Sequence, residues 1–290
     1  MDNILFKISD KVGEIPPVSP NTMKIMDLIS DPDYTVADLK ELLELDVSLT
    51  TKCLKLVNSA SYGLRTQVST LEKAINYLGS KTILSIIVNA DFNNVYSPPL
   101  TGYQAEDGDL WTHSLRTAMG AKLLAELTED YELSDIAYTA GLLHDIGKII
   151  IAQFLQVTPE ILSEKFENAE GTDFLQIETE LLHTDHAEVG QMMALKWGLP
   201  ESLQIAIRYH HQPDQAPEKY RKLCILVHLG DIFAALGGYS TGADSLAYRL
   251  NPMAKEYLNF SHTVFEKLIC DIDAEYNKAQ QLISGEEIPN

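Results

Sequence analysis

Seven residues of the chain carry imidazole or carboxylate groups in contexts that suggest shared chemistry: His113, His144, Asp145, His186, His210, His211 and Asp231. His144 and Asp145 are adjacent in Gly141-Leu-Leu-His-Asp-Ile-Gly-Lys148, and His210 and His211 are adjacent in Arg208-Tyr-His-His-Gln-Pro213. Taken singly, each has an ordinary reading. A His-Asp pair is usually a solvated helix end, and an isolated polar residue in an apolar helix is usually a hydrogen-bonded core group. Asp231, however, sits in the apolar run Leu226-Val-His-Leu-Gly-Asp-Ile-Phe233, where a lone carboxylate costs several kcal/mol unless paired or bound to metal. Taken together, imidazole nitrogens and carboxylate oxygens suit borderline divalent first-row ions: Fe, Mn, Zn, Co or Ni. Seven ligands exceed the four of a single structural zinc, so the expectation is two ions. Asp145 would bridge them, because a carboxylate has two oxygens to offer. Lys148 lies four residues after His144 and three after Asp145, so a continuing helix would place it on their face. A cation there suits a substrate phosphate or a metal-bound hydroxide, which makes Asp145 and Lys148 the catalytic candidates.

The elements that must position these groups read as helices throughout. Apolar residues recur at spacings of three and four, with no strand pattern, so the predicted fold class is all-α. Thr35-Val-Ala-Asp38 and Ser69-Thr-Leu-Glu72 read as capping boxes, and Leu78-Gly79 as a helix end. Pro16, Pro17 and Pro20 precede the first long helix, and Pro98-Pro99 with Gly102 and Gly108 divide the chain. His113 falls on a helix beginning near Leu110. Gly190, one turn after His186, would let another helix approach closely. Asn58, an amide among apolar residues at a helix end, is expected to cap or cross-link backbone groups between the N-terminal helices, the alternative being a solvent-facing asparagine. The expected organisation is an N-terminal helical lobe over 1–97, a helical metal-binding core over 98–240 and a helical tail over 241–290. Every candidate site residue falls in the middle block.

Composition narrows the function classes. Acids outnumber bases 42 to 22, a net charge of −20, which disfavours nucleic acid and anionic membranes as partners. The apolar stretches are too short to span a bilayer, and the first ten residues lack the cationic start of a secretory signal. Cys53, Cys224 and Cys270 lie far apart, which fits a reducing, cytoplasmic compartment and no thiolate metal site.

The order His113…His144-Asp145…Asp231 resembles the ligand order of the HD superfamily of metal-dependent phosphohydrolases. His186 and His210-His211 resemble the second-metal ligands of its HD-GYP branch, and Lys148 matches the lysine after the His-Asp pair there. Asp109 occupies the position of an acidic ligand in some three-metal members, although an acid near a helix start has a commoner explanation. Ile15-Pro-Pro-Val-Ser-Pro20, Leu28-Ile-Ser-Asp-Pro-Asp33, Leu45-Asp-Val-Ser-Leu-Thr50, Leu54-Lys-Leu-Val-Asn-Ser-Ala60 and Ala74-Ile-Asn-Tyr-Leu-Gly79 resemble instead the N-terminal half of HDOD domains. That resemblance covers about residues 7–235. Val47 departs from it, since the family usually has proline there. The Gly-Tyr-Pro motif of the HD-GYP branch is missing after His211, where Gln212-Pro213-Asp214 follows. The resemblance implies a signalling module with a protein partner that retains the metal site. The other implied reading is a phosphohydrolase acting on a phosphate ester or cyclic nucleotide.

Overall fold

The computed structural model describes residues 2–16, 18–31, 33–58, 64, 67–96, 99–155, 174–244, 249–257 and 262–284. Pro17, Pro98 and the expected boundary at 97/98 lie outside them. Within them the fold is all-α, and no strand occurs among the described residues. The N-terminal helices are α1 (Asp2–Glu14), α2 (Pro20–Ile29), α3 (Val36–Glu44), α4 (Val47–Val57) and α5 (Leu71–Tyr96). The site-bearing helices are α6 (Asp109–Leu127), α7 (Ser134–Leu143), α8 (Lys148–Ile151), α9 (Phe174–Leu182), α10 (His186–Trp197), α11 (Glu201–Tyr209) and α12 (Glu218–Leu236). Two more, α13 (Pro252–Tyr257) and α14 (His262–Ser284), follow.

Local sequence explains several helix starts. Ser19 accepts from the Thr22 N–H at the start of α2, and α2 buries Thr22, Ile25, Met26 and Ile29 at helical spacing. Thr35 and Asp38 form the expected capping box. The second expected box is replaced by a single cap one residue later. α5 starts at Leu71, the Thr70 carbonyl accepts the first helical bond from Ala74, and the Thr70 hydroxyl accepts from the Lys73 N–H. Thr70, not Ser69, is therefore the cap. Gly79 does leave the helical region, at φ 72°, but α5 resumes at once and runs to Tyr96. It is a kink inside one long element rather than an end.

The first helix also comes earlier than the prolines suggest. α1 packs on α8 and α10. It buries Ile8 and Val12, while Phe6 stays exposed. Its C-terminal carbonyls are satisfied from the core: Lys196 donates to Val12, Gly13 and Ile15, and the Trp197 ring N–H donates to Pro16. A short helix of this kind depends on such tertiary contacts more than on its own propensities.

α6, α7 and α12 form the centre of the core. α6 and α12 cross at Gly230, where a Cβ would lie 2.6 Å from the Thr117 carbonyl oxygen. That close crossing sets the distance between His113 on α6 and Asp231 on α12. α14 packs along α6. Between them the buried Arg116 guanidinium lies 3.2 Å and 3.9 Å from the ring centroids of Tyr239 and Tyr276, and pairs with Asp273. Among the described residues, no helix is long and apolar enough to cross a membrane.

Candidate metal centre

The fold brings all seven sequence-selected residues into one buried cluster. The most exposed, His211, is only 8% exposed, and His144, Asp145, His186 and His210 are fully buried. His113 comes from α6, His186 from the start of α10 and Asp231 from α12. His144 and Asp145 stand in the turn after α7, and His210-His211 just past the end of α11. The α7 turn reaches α10 because of Gly147, whose Cβ would sit 1.9 Å from the His186 carbonyl oxygen. Gly190 faces the same contact, 3.3 Å from the Gly147 nitrogen on the Cβ measure, so the close approach expected there is present.

Asp145 stands at the middle. Its Oδ2 lies 3.3 Å from the Nε2 atoms of both His113 and His144. Its Oδ1 lies 3.3 Å from His186 Nε2 and 3.7 Å from His210 Nε2. Asp231 Oδ1 is 3.2 Å from His113 Nε2, and its Oδ2 is 3.8 Å from His211 Nδ1. Ligand atoms of Asp145, His186, His210 and His211 lie within 4.8 Å of one another, as do those of His113, His144 and Asp145.

The tautomers follow from the outer contacts. The Nδ1 atoms of His113, His144 and His210 face the carbonyls of Tyr239, Gly141 and Ile207 at 2.9, 2.8 and 2.7 Å. Carbonyls only accept, so each of these Nδ1 atoms donates. His186 Nδ1 lies 2.9 Å from both oxygens of Glu178. In the neutral rings, four Nε2 lone pairs therefore converge on carboxylate oxygens. Acceptor meets acceptor. Asp145 Oδ1, His210 Nε2 and both Asp231 oxygens are buried and take no hydrogen bond. A proton on one imidazole relieves part of this, but only cations satisfy the whole set. The donor chemistry thus fits divalent metal, and the buried clusters can hold it.

Electrostatics point the same way. Burial lowers the basicity of His113, but the Asp145 and Asp231 carboxylates facing its Nε2 outweigh it and raise its pKa to about 10. Burial and the neighbouring imidazoles hold His210 and His211 well below the ordinary histidine value. Burial alone would raise Asp145, yet His144 and Lys148 keep it well below the usual carboxylate range.

Lys148 does not stand on a continuation of α7. The chain turns after Leu143, and Lys148 opens α8. It nonetheless faces Asp145: its buried ammonium donates to Asp145 Oδ2 at 2.6 Å, to Thr241 Oγ1 at 2.8 Å and to Asp244 Oδ2 at 2.5 Å. Asp109 stands apart, accepting from the Glu106 N–H at 2.7 Å at the start of α6. His228 also turns elsewhere, accepting from the Asn251 N–H.

The sequence reading missed Glu178, Tyr103, Thr241 and Asp244. Glu178 accepts from the His186 ring, from the His186 backbone N–H at 2.7 Å and from the Tyr103 hydroxyl at 2.5 Å. Its signal was available: it shares the buried face of α9 with Phe174 and Ile177, and an acid on an apolar stripe needs a partner. Thr241 and Asp244 lie in a loop with no such pattern.

A family model for the HDOD domain matches residues 15–213. The chain belongs to the HDOD family. An uncharacterised protein of Treponema pallidum (strain Nichols) is 31% identical over 218 residues, which is 74% of this chain and 41% of that protein. The chain thus spans about two fifths of the length of this relative. An HDOD domain protein of unknown function from Geobacter sulfurreducens is 25% identical in its crystal structure. It aligns over 98% of both chains with a TM-score of 0.70. A candidate signal transduction protein from Marinobacter aquaeolei VT8 is 20% identical and shares the fold, with a TM-score of 0.71 over 95% of this chain and 60% of that one. Asp231, Thr241 and Asp244 lie beyond the span that the HDOD model matches.

Proposed function

We propose that this HDOD chain is a cytoplasmic signalling module built around a dinuclear metal centre, with a protein as its downstream partner. In this reading Asp145, with one oxygen facing each histidine group, would help hold both of two divalent first-row ions. His113, His144 and Asp231 would hold one ion with it, and His186, His210 and His211 the other. The observation that carries it is the convergence of four Nε2 lone pairs on carboxylate oxygens, with the imidazoles of His113, His144, His186 and His210 each oriented by an outer acceptor. When bound, such ions would supply Lewis acidity and a water of lowered pKa.

Two observations favour signalling over turnover. Each candidate ligand is less than a tenth exposed. Lys148 already directs its three N–H groups at Asp145, Thr241 and Asp244, so steadying a phosphoryl group would require it to release one. The second reading is a metal-dependent phosphohydrolase acting on a phosphate ester or cyclic nucleotide. It is favoured by the two faces of Asp145, each turned to a separate histidine pair, the layout that two-metal hydrolysis employs.

Elemental analysis of protein purified without chelator or metal-affinity resin tests the centre. Two ions per chain are expected, with both weakened by Asp145→Ala and one by His211→Ala. The loaded protein is then offered bis(p-nitrophenyl) phosphate and cyclic di-GMP. Full occupancy without turnover supports signalling. Turnover abolished by Asp145→Ala and reduced by Lys148→Ala would establish the hydrolase, and a wild type without metal would remove the centre altogether.

A further inference from the structure

Residues 237–244 follow α12 and touch the centre on two sides. The Tyr239 carbonyl accepts from His113 Nδ1, and Thr241 and Asp244 accept from Lys148. The Thr241 hydroxyl donates in turn to Asp244 Oδ2. The Ala243 N–H donates to the Tyr103 carbonyl at 2.6 Å. Gly238 and Gly242 adopt φ of 87° and 96°, so the segment is bracketed by two residues in left-handed backbone that other side chains rarely adopt.

Asp244 is the second carboxylate on the Lys148 ammonium, which Asp145 already meets at 2.6 Å. A second carboxylate, 1% exposed, adds a desolvation cost that one ion pair would have avoided. It also adds a negative charge beside Asp145 and Asp231. What it provides is an anion with oxygen acceptors, aligned by a hydroxyl, at a buried ammonium beside the candidate metal ligands. A phosphate oxygen makes the same contacts.

We infer that Asp244 is a built-in competing anion: a phosphate-bearing ligand binds at Lys148, Thr241 and the metal centre by displacing it. This inference rests on the metal-centre reading above. Displacement moves residues 237–244, and with them Tyr239. The Tyr239 carbonyl orients His113, and its ring covers Arg116, which pairs with Asp273 and stacks on Tyr276 of α14. Ligand occupancy is thereby coupled to the docking of the C-terminal helix, which is the output a signalling module requires.

The test is calorimetric titration of inorganic phosphate into the metal-loaded full chain, comparing wild type with Asp244→Asn and Asp244→Ala. Both variants are expected to keep the wild-type metal content and to bind phosphate at least tenfold more tightly. Adding Lys148→Met to Asp244→Ala should abolish the gain. Phosphate should also raise the melting temperature of Asp244→Ala more than chloride does. Metal-loaded variants that bind phosphate no better than wild type would overturn the inference. So would failure of both variants to fold, which would assign Asp244 to structure alone. A wild type without metal is a separately readable failure, because it overturns the centre on which the inference stands.

Discussion

Glu178 offers the sharpest test of how the centre is held. Its carboxylate accepts three donors, the His186 ring N–H, the His186 backbone N–H and the Tyr103 hydroxyl, and is itself fully buried. Burial alone would lower the His186 pKa, yet Glu178 outweighs it and holds the value above the ordinary one. The same contact fixes Nδ1 as the donor and aims Nε2 at Asp145. Glu178→Gln keeps the shape but removes the charge, and an amide NH₂ facing Nδ1 would favour the opposite tautomer. Losing an outer partner of a metal-ligating histidine typically weakens metal affinity by about 10–100-fold. That corresponds to about 1.4–2.7 kcal/mol for the ion on the His186 side. The ion on the His113 and His144 side should be spared. Metal content measured after equilibration in metal buffers should therefore fall from two ions towards one. Glu178→Ala should also destabilise the fold, because a stranded His186 N–H and Tyr103 hydroxyl each cost about 1–3 kcal/mol. If Glu178→Gln holds both ions with wild-type affinity, the positioning argument is wrong.

Three further outcomes are expected. His113 has a pKa raised from 6.5 to about 10 in the metal-free fold, so its proton stabilises that fold fully below pH 6.5 and ceases to do so as pH rises through about 10. Metal must displace that proton, so calorimetry in buffers of different ionisation heat should show proton release between these pH values, and none would contradict the geometry. Gly147→Ala places a Cβ 1.9 Å from the His186 carbonyl oxygen, so thermal unfolding should show a loss of about 1–3 kcal/mol or more, together with reduced metal content. Asn58 donates to the Leu54 and Val68 carbonyls and accepts from the Val68 N–H, all within 2.8 Å. Asn58→Ala should therefore cost about 1–3 kcal/mol in denaturant titration, and a change of a few tenths would show that solvent replaces those bonds freely.

The sequence alone determined the all-α class, the HDOD resemblance and the seven residues that cluster. Helical spacing is local, and imidazoles or carboxylates in apolar helices are conspicuous because they need partners. It also marked Asn58, whose partners Leu54 and Val68 are short-range, and Gly190, whose close approach to Gly147 is made by packing. Tertiary structure decided what lies between distant segments. The Thr70 cap, the kink at Gly79 and the docking of α1 under Lys196 and Trp197 depend on which bonds the folded chain completes. Lys148 was placed near Asp145 by spacing, but its two other partners come from residues 93 and 96 positions away. Glu178 reaches His186 across the short turn between α9 and α10, eight residues away. Residue type and spacing reveal which groups could bind an ion, and local carbonyls orient His144 and His210, whereas His113 is oriented by the Tyr239 carbonyl, which only the folded chain brings to it.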